Sequence, residues 1–180
     1  MYQRILVPTD GSDYAERAGQ RAVHLAEAFD ATVVLLNVVD LDAQAGPFSA
    51  GGIGEEYVDR LKAAGHETIE ETASTLAGEV ETDVVTGRPA EAILEYADEQ
   101  DVDLIAMGTR GRTGVQRYVM GSVTERVVSL ADIPVLTVRD IETSGVDGYD
   151  DVIIPTDGSD AAATAIDHGL AVAKQFDARV

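Results

Sequence analysis

Gly108-Thr109-Arg110-Gly111 and, nine residues further on, Gly121-Ser122-Val123-Thr124 are the residues of this chain best suited to chemistry. The first group follows Leu104-Ile105-Ala106-Met107, an apolar run that reads as a buried strand, and the second opens Val123 to Val128, which reads as the first turns of a helix. Strand, glycine-punctuated loop and helix start, in that order, suit a phosphate. Glycine lets the backbone approach an anion, and the first N–H groups of a helix have no partner inside it. The competing reading is a loop that is only flexible. Arg110, Arg112 and Arg117 stand out in an acidic chain, either as phosphate or lid contacts or as surface ion pairs. No Gly-Lys-Ser/Thr, no Gly-x-Gly-x-x-Gly after a strand and no Gly-x-Ser-x-Gly occurs, so P-loop, Rossmann and hydrolase-elbow chemistry are not indicated. With no cysteine and three scattered histidines, His24, His66 and His168, a zinc site has no donors at the right spacing.

The elements that must hold these residues alternate. Arg4–Pro8 is a strand, and Asp10-Gly11-Ser12 a turn. Asp13 with Glu16 fits a capping box that opens a helix over Tyr14–Phe29. Thr32–Val39 is a nearly continuous apolar strand. A glycine-rich stretch from Asp40 to Gly54 is either a surface connection or a lid over a ligand. Helices follow over Glu55–Ala77, Ala90–Gln100 with Pro89 at the first position, and Ser122–Leu130; strands follow over Val80–Thr86, Leu104–Met107 and Ile133–Arg139. Strands alternating with helices give an α/β domain with a mainly parallel sheet and helices on both faces. Ligands of such sheets sit beyond the carboxyl ends of the strands, where the strand order reverses. That places Thr9–Ser12, Val39 onward and Gly108–Gly121 on one functional edge.

Charge narrows the partners. The chain of 180 residues carries 33 acidic against 13 basic side chains, a net −20, and Lys62 and Lys174 are its only lysines. Nucleic acid would be repelled. Acid excess with few lysines fits a salt-rich milieu, where fields are screened within ~3 Å at 1 M salt and binding must come from close, directed hydrogen bonds. No run approaches the ~20 apolar residues of a membrane span, and no signal peptide opens the chain, so a cytoplasmic location is expected, without membrane partners.

The chain also repeats itself. Tyr149–Val180 aligns without a gap on Tyr2–Val33, with about 14 of 32 positions identical. Residues 1–140 are therefore expected to form one domain, 141–148 a linker, and 149–180 the start of a second copy. That start is too short for a core of its own: either the chain is a truncated tandem protein, the reading favoured, or this tail packs on the first domain or on another chain.

Four stretches carry a family resemblance: Ile5-Leu6-Val7-Pro8-Thr9-Asp10-Gly11-Ser12, Leu35-Leu36-Asn37-Val38-Val39, the Gly108-x2-Gly111-x9-Gly121-Ser122 loop, and Ile133-Pro134-Val135-Leu136-Thr137-Val138. Over residues 2–139 the chain resembles a universal stress protein of the ATP-binding branch. The resemblance implies five strands in the order 3-2-1-4-5, the adenine-nucleotide alpha-hydrolase-like arrangement, with the crevice between strands one and four. It implies that Pro8, Thr9 and Asp10 line the adenosine end and that Val38 meets the adenine edge. Met107 and Gly108 would form the floor, and Gly111, Gly121, Ser122, Val123 and Thr124 would hold phosphates, with Arg110 added as a phosphate contact. Asp10 could instead serve only its turn. Asn37 stands where a histidine is common in the family and is expected to point away from the crevice. The implied ligand is ATP, or AMP or ADP, with Mg2+ or Mn2+. No catalytic residue is assigned. The expected function is a nucleotide-responsive stress or signalling module; the alternative is a slow ATPase or ATP-dependent transferase. The apolar edge Val135–Val138 needs covering, so a homodimer through that strand is expected.

Overall fold

The structure, a computed structural model, describes residues 1–41, 55–109, 120–139 and 148–180. Its elements are β1 (Arg4–Pro8), α1 (Asp13–Phe29), β2 (Thr32–Val39), α2 (Glu55–Ser74), β3 (Glu81–Thr86), α3 (Pro89–Glu99), β4 (Leu104–Gly108), α4 (Ser122–Leu130), β5 (Val135–Val138) and α5 (Asp160–Gln175). The strands form one parallel sheet in the order β3-β2-β1-β4-β5, as the resemblance implied.

Alternation along the strands divides the core in two. Ile5, Val7, Val33, Leu35, Leu104 and Ala106 face α1 and α2. Leu6, Val34, Leu36, Ile105 and Met107 face α3 and α4. Both faces are covered, which is why the central strands read as unbroken apolar runs.

Several boundaries move, each for a local reason. Asp13 does not cap α1. Ser12 does, with extended backbone (φ −84°, ψ 155°) and a side-chain oxygen that accepts from the Ala15 N–H, so the helix opens one residue earlier than the capping box suggested. α2 ends at Ser74 rather than Ala77. The hydroxyls of Ser74 and Thr75 donate to the carbonyls of Glu71 and Thr72, taking over acceptors that a continuing helix would need. β5 begins after Pro134, which has no N–H for the ladder but still accepts from Ile105 through its carbonyl.

Residues 149–180 rebuild the opening of the first unit. Asp151 bridges Arg179 in parallel, and the Arg179 N–H donates to the Asp150 carbonyl at 2.9 Å. The same bond joins Thr32 to Gln3 at 2.8 Å at the matching positions. The segment lies against the first unit, with Tyr149, Val172 and Phe176 packed on the core face beneath α1.

Candidate functional site

A cavity of about 300 Å³ opens at the carboxyl edge of the sheet, where β1 and β4 part toward opposite sides of the order. Strand order fixes its polarity. Toward β2 its wall is apolar, with Leu36, Val38, Pro89 and Ile93, while Pro8 and Met107 line it from β1 and β4. At the β4 end stand Gly121, Ser122, Val123 and Thr124, the first turn of α4. The N-cap residue of that helix is Gly121, which has no side chain to cap it, so among the described residues no N-cap oxygen covers the amides of Ser122, Val123 and Thr124, three residues that line the cavity.

The backbone of Val38 is aimed into this space. Successive residues of a strand direct their N–H and C=O groups to alternate sides. The Leu36 carbonyl accepts from Thr9 on the β1 side and the Val39 carbonyl from Gly87 on the β3 side. Val38 therefore faces the β1 side, beyond Pro8–Leu36, the last residue pair between those strands.

The loop after β1 is shaped by its own bonds. The Asp10 carboxylate accepts from both the backbone N–H and the hydroxyl of Ser12, at 3.1 and 2.6 Å. Gly11 has φ +74°, a left-handed conformation that favours glycine, and donates its N–H to the Thr9 hydroxyl at 3.1 Å. Thr72 donates its single hydroxyl proton to the Thr68 carbonyl at 2.9 Å, so the Thr9 hydroxyl is the donor in the 3.2 Å contact between the two. A directed relay thus runs from Gly11 through Thr9 and Thr72 into α2.

Asn37 corrects the sequence reading. Its side chain lies on the α2 face of the sheet, yet its amide nitrogen donates 2.9 Å to the Thr9 carbonyl and it contributes to the cavity wall. It holds the backbone of a site residue in place. Thr9, Asn37, Thr72 and Thr124 are all buried polar residues, and all four border the site or its support.

Two glycines have duties other than those expected. Gly108 lines the cavity as expected, and a Cβ on it would lie 2.6 Å from the Tyr14 carbonyl oxygen, so this glycine also admits the first turn of α1. The Gly121 N–H is already given to the Thr109 carbonyl at 2.8 Å and is spent on the loop closure. Thr124 likewise uses its hydroxyl proton to tie α4 to the Gly108 carbonyl at 2.9 Å. Of the expected phosphate contacts, Gly121, Ser122, Val123 and Thr124 line the cavity. Arg110 and Gly111, with Arg112 and Arg117, lie outside the described residues, as does nearly all of the Asp40–Gly54 stretch.

Ala15, Leu36, Asn37, Pro89 and Ile93 complete the wall and were not among the residues picked from sequence. Leu36 was within reach, sharing a strand face with Val38 at period two. Pro89 and Ile93 are four apart at a helix start, but only the strand order brings that helix over the crevice. Among the described residues no group of three or more His, Cys, Asp or Glu converges on a metal position, and no helix is long and apolar enough to cross a membrane.

Residues 1–139 match the model of the Universal stress protein family. The universal stress protein MJ0531 of Methanocaldococcus jannaschii is 39% identical over 142 residues, covering 77% of this chain and 83% of that protein. The solved structure of protein MJ0577, from the same organism, superposes with a TM-score of 0.64 at 30% identity, covering 79% of this chain and 99% of the other. A universal stress protein solved in complex with cAMP has a TM-score of 0.51 at 27% identity, covering 77% and 97%.

Proposed function

The chain belongs to the universal stress protein family, and on that premise we propose that it is an ATP-binding, nucleotide-responsive stress or signalling module. One observation carries the reading: a single cavity with an apolar slot at its β2 end and an uncapped helix start at its β4 end. A purine suits the first and a phosphate tail the second. In this reading Val38 meets the adenine edge through its backbone, and Asp10 stands by the ribose. The amides of Ser122, Val123 and Thr124 take the phosphates, with Arg110 and Gly111 completing that side. Mg2+ or Mn2+ arrives on the phosphates, since the described residues offer it no cage. The cAMP complex of a relative supports an adenine nucleotide as the ligand class. Binding rather than turnover is favoured, because the Thr124 hydroxyl is engaged with Gly108 and cannot activate water while it remains so.

The same reading extends to the whole chain: a tandem protein of the cytoplasm, adapted to salt by its net charge of −20. It pairs with a second chain along β5, which forms the half-buried sheet edge.

Proline scanning of α4 tests the nucleotide site. Ser122 is the first residue of the helix, and Gly121 before it is extended (ψ 145°), so Ser122→Pro deletes one amide donor without disturbing the backbone. ATP affinity measured by calorimetry should fall about ten-fold or more, the worth of a hydrogen bond to a charged group. Adenosine affinity should hold, and Ser122→Ala should separate the hydroxyl from the amide. Unchanged ATP affinity in Ser122→Pro would remove α4 as the phosphate site. A wild-type protein that binds no adenine compound would remove the whole reading.

A further inference from the structure

Residues of the second copy touch residues of the first in a reciprocal pattern. The two copies align at a constant offset of 147 residues, so Tyr2 matches Tyr149, Arg21 matches His168, Ala28 matches Gln175, and Phe29 matches Phe176. Tyr2 stacks on His168 with ring centroids 5.8 Å apart, and its hydroxyl lies 3.0 Å from His168 Nδ1. In return, the Arg21 guanidinium lies 5.8 Å over the Tyr149 ring. Position 2 of one copy thus meets position 21 of the other, in both directions. Gln175 donates its side-chain amide to the Ala28 carbonyl, a contact between matched positions. Within each copy the tyrosine meets its phenylalanine edge-on in the same way: 5.0 Å and 70° for Tyr2–Phe29, 5.2 Å and 71° for Tyr149–Phe176.

Reciprocal contacts between unlike positions, with a self-matched contact between them, are the signature of an isologous interface, and self-matched contacts lie on its two-fold axis. We infer that the two copies dock about a local two-fold axis passing between Ala28 and Gln175, and that the Tyr2–Arg21–Ala28 face of the first unit is a docking surface for a second unit of the same family. The occupant is residues 149–180, the second copy carried by this chain. The inference rests on reading those residues as a repeat and is independent of the nucleotide site.

The face is built of flat, stackable groups. His24 adds to it, stacking on Phe176 at 5.1 Å. Arginine at position 21 and histidine at 168 are different residues that do one job, since each presents a planar nitrogenous group to the tyrosine of the other copy. Tyrosine at both ends is what the symmetry requires.

Hydrogen exchange of the full chain, read by mass spectrometry on peptides from α5, tests this. A segment this short has no core of its own, so protection of α5 reports docking. Tyr2→Ala and Tyr149→Ala should each reduce α5 protection by about ten-fold or more, with comparable size because the two sites are equivalent. Protection of β1 and β4 serves as the folding control. Should Tyr2→Ala fail that control, Tyr149→Ala together with Tyr2→Phe, which removes only the hydroxyl, carries the test. The exchange of partners Arg21→His with His168→Arg should keep α5 protection within about two-fold, since the axis maps each pair onto the other. An unprotected α5 in the wild type, a tyrosine variant without effect, or loss of protection in the exchanged variant would each overturn the inference. So would protection that rises with protein concentration, which would assign the contact to a second chain.

Discussion

Asn37 shows what a single residue can do that its place in the sequence hides. A polar side chain in an apolar strand reads as a position turned away from the crevice, and it does point to the α2 face. Its amide nonetheless fixes the Thr9 carbonyl, a partner 28 residues away in sequence. Asn37→Ala should cost about 1–3 kcal/mol of stability in denaturant melts, the penalty of a buried carbonyl left unpaired. The same variant should weaken adenosine binding while leaving the affinity for inorganic tripolyphosphate unchanged, because Thr9 serves only the nucleoside end. Gly108 is the complementary lesson. The sequence identifies it as a glycine that something must approach closely, but not what approaches. The visitor is the Tyr14 backbone, and only the packing of α1 on β4 supplies that. The helix start at Ser122 was legible in the sequence, since a helix opening after a glycine is a local property.

Elements were read well where their signals are local and less well at their ends. The parallel strands announce themselves as apolar runs buried on both faces, and Pro89 opens α3 as its type suggests. The start of α1 was missed by one residue because two acidic-or-hydroxyl candidates compete for the cap, and the Asp10 turn decides in favour of Ser12. The helix ends carry a cost. Asp30 closes α1 with φ +57°, a left-handed position for which glycine is preferred, and none of α1, α2, α3 and α4 has a basic residue in its last turn. The Asp30 carboxylate therefore sits against the negative end of the helix dipole. Asp30→Gly should raise stability by about 0.5–1 kcal/mol at low salt. The gain should shrink in ~1 M salt, where the repulsion is screened. Thermal melts of both proteins at two ionic strengths would measure it.

At the scale of the whole molecule, the contact between the two copies depends on two tyrosines staying neutral. Burial raises the Tyr2 hydroxyl above the usual value of 10.0, helped by Tyr149 nearby. Burial raises Tyr149 as well, partly offset by Arg21. A folded-state value above the unfolded one means that the docked form holds protons which the released form gives up. The stability this provides is complete below the unfolded value and is lost as pH climbs through and beyond it. Protection of α5 should therefore fall as pH rises above 10.0, before the first unit's secondary structure changes, as parallel exchange and circular dichroism measurements would register. The duplication was plain in the sequence from its identities. The axis was not, because an alignment gives which positions match and only coordinates give which positions meet.

The repeated loop carries one last consequence. Thr156–Ser159 makes the bonds of Thr9–Ser12 over again, Gly158 to Thr156 at 3.1 Å and Ser159 to Asp157 at 2.9 Å, with Gly158 at φ +81°. It does so with its residues exposed and no crevice wall around Gly158. Four residues dictate that shape unaided. In the proposed reading, a nucleotide reaching the first loop meets a shape that the loop's own hydrogen bonds already hold, so ordering that side adds little entropic cost to recognition.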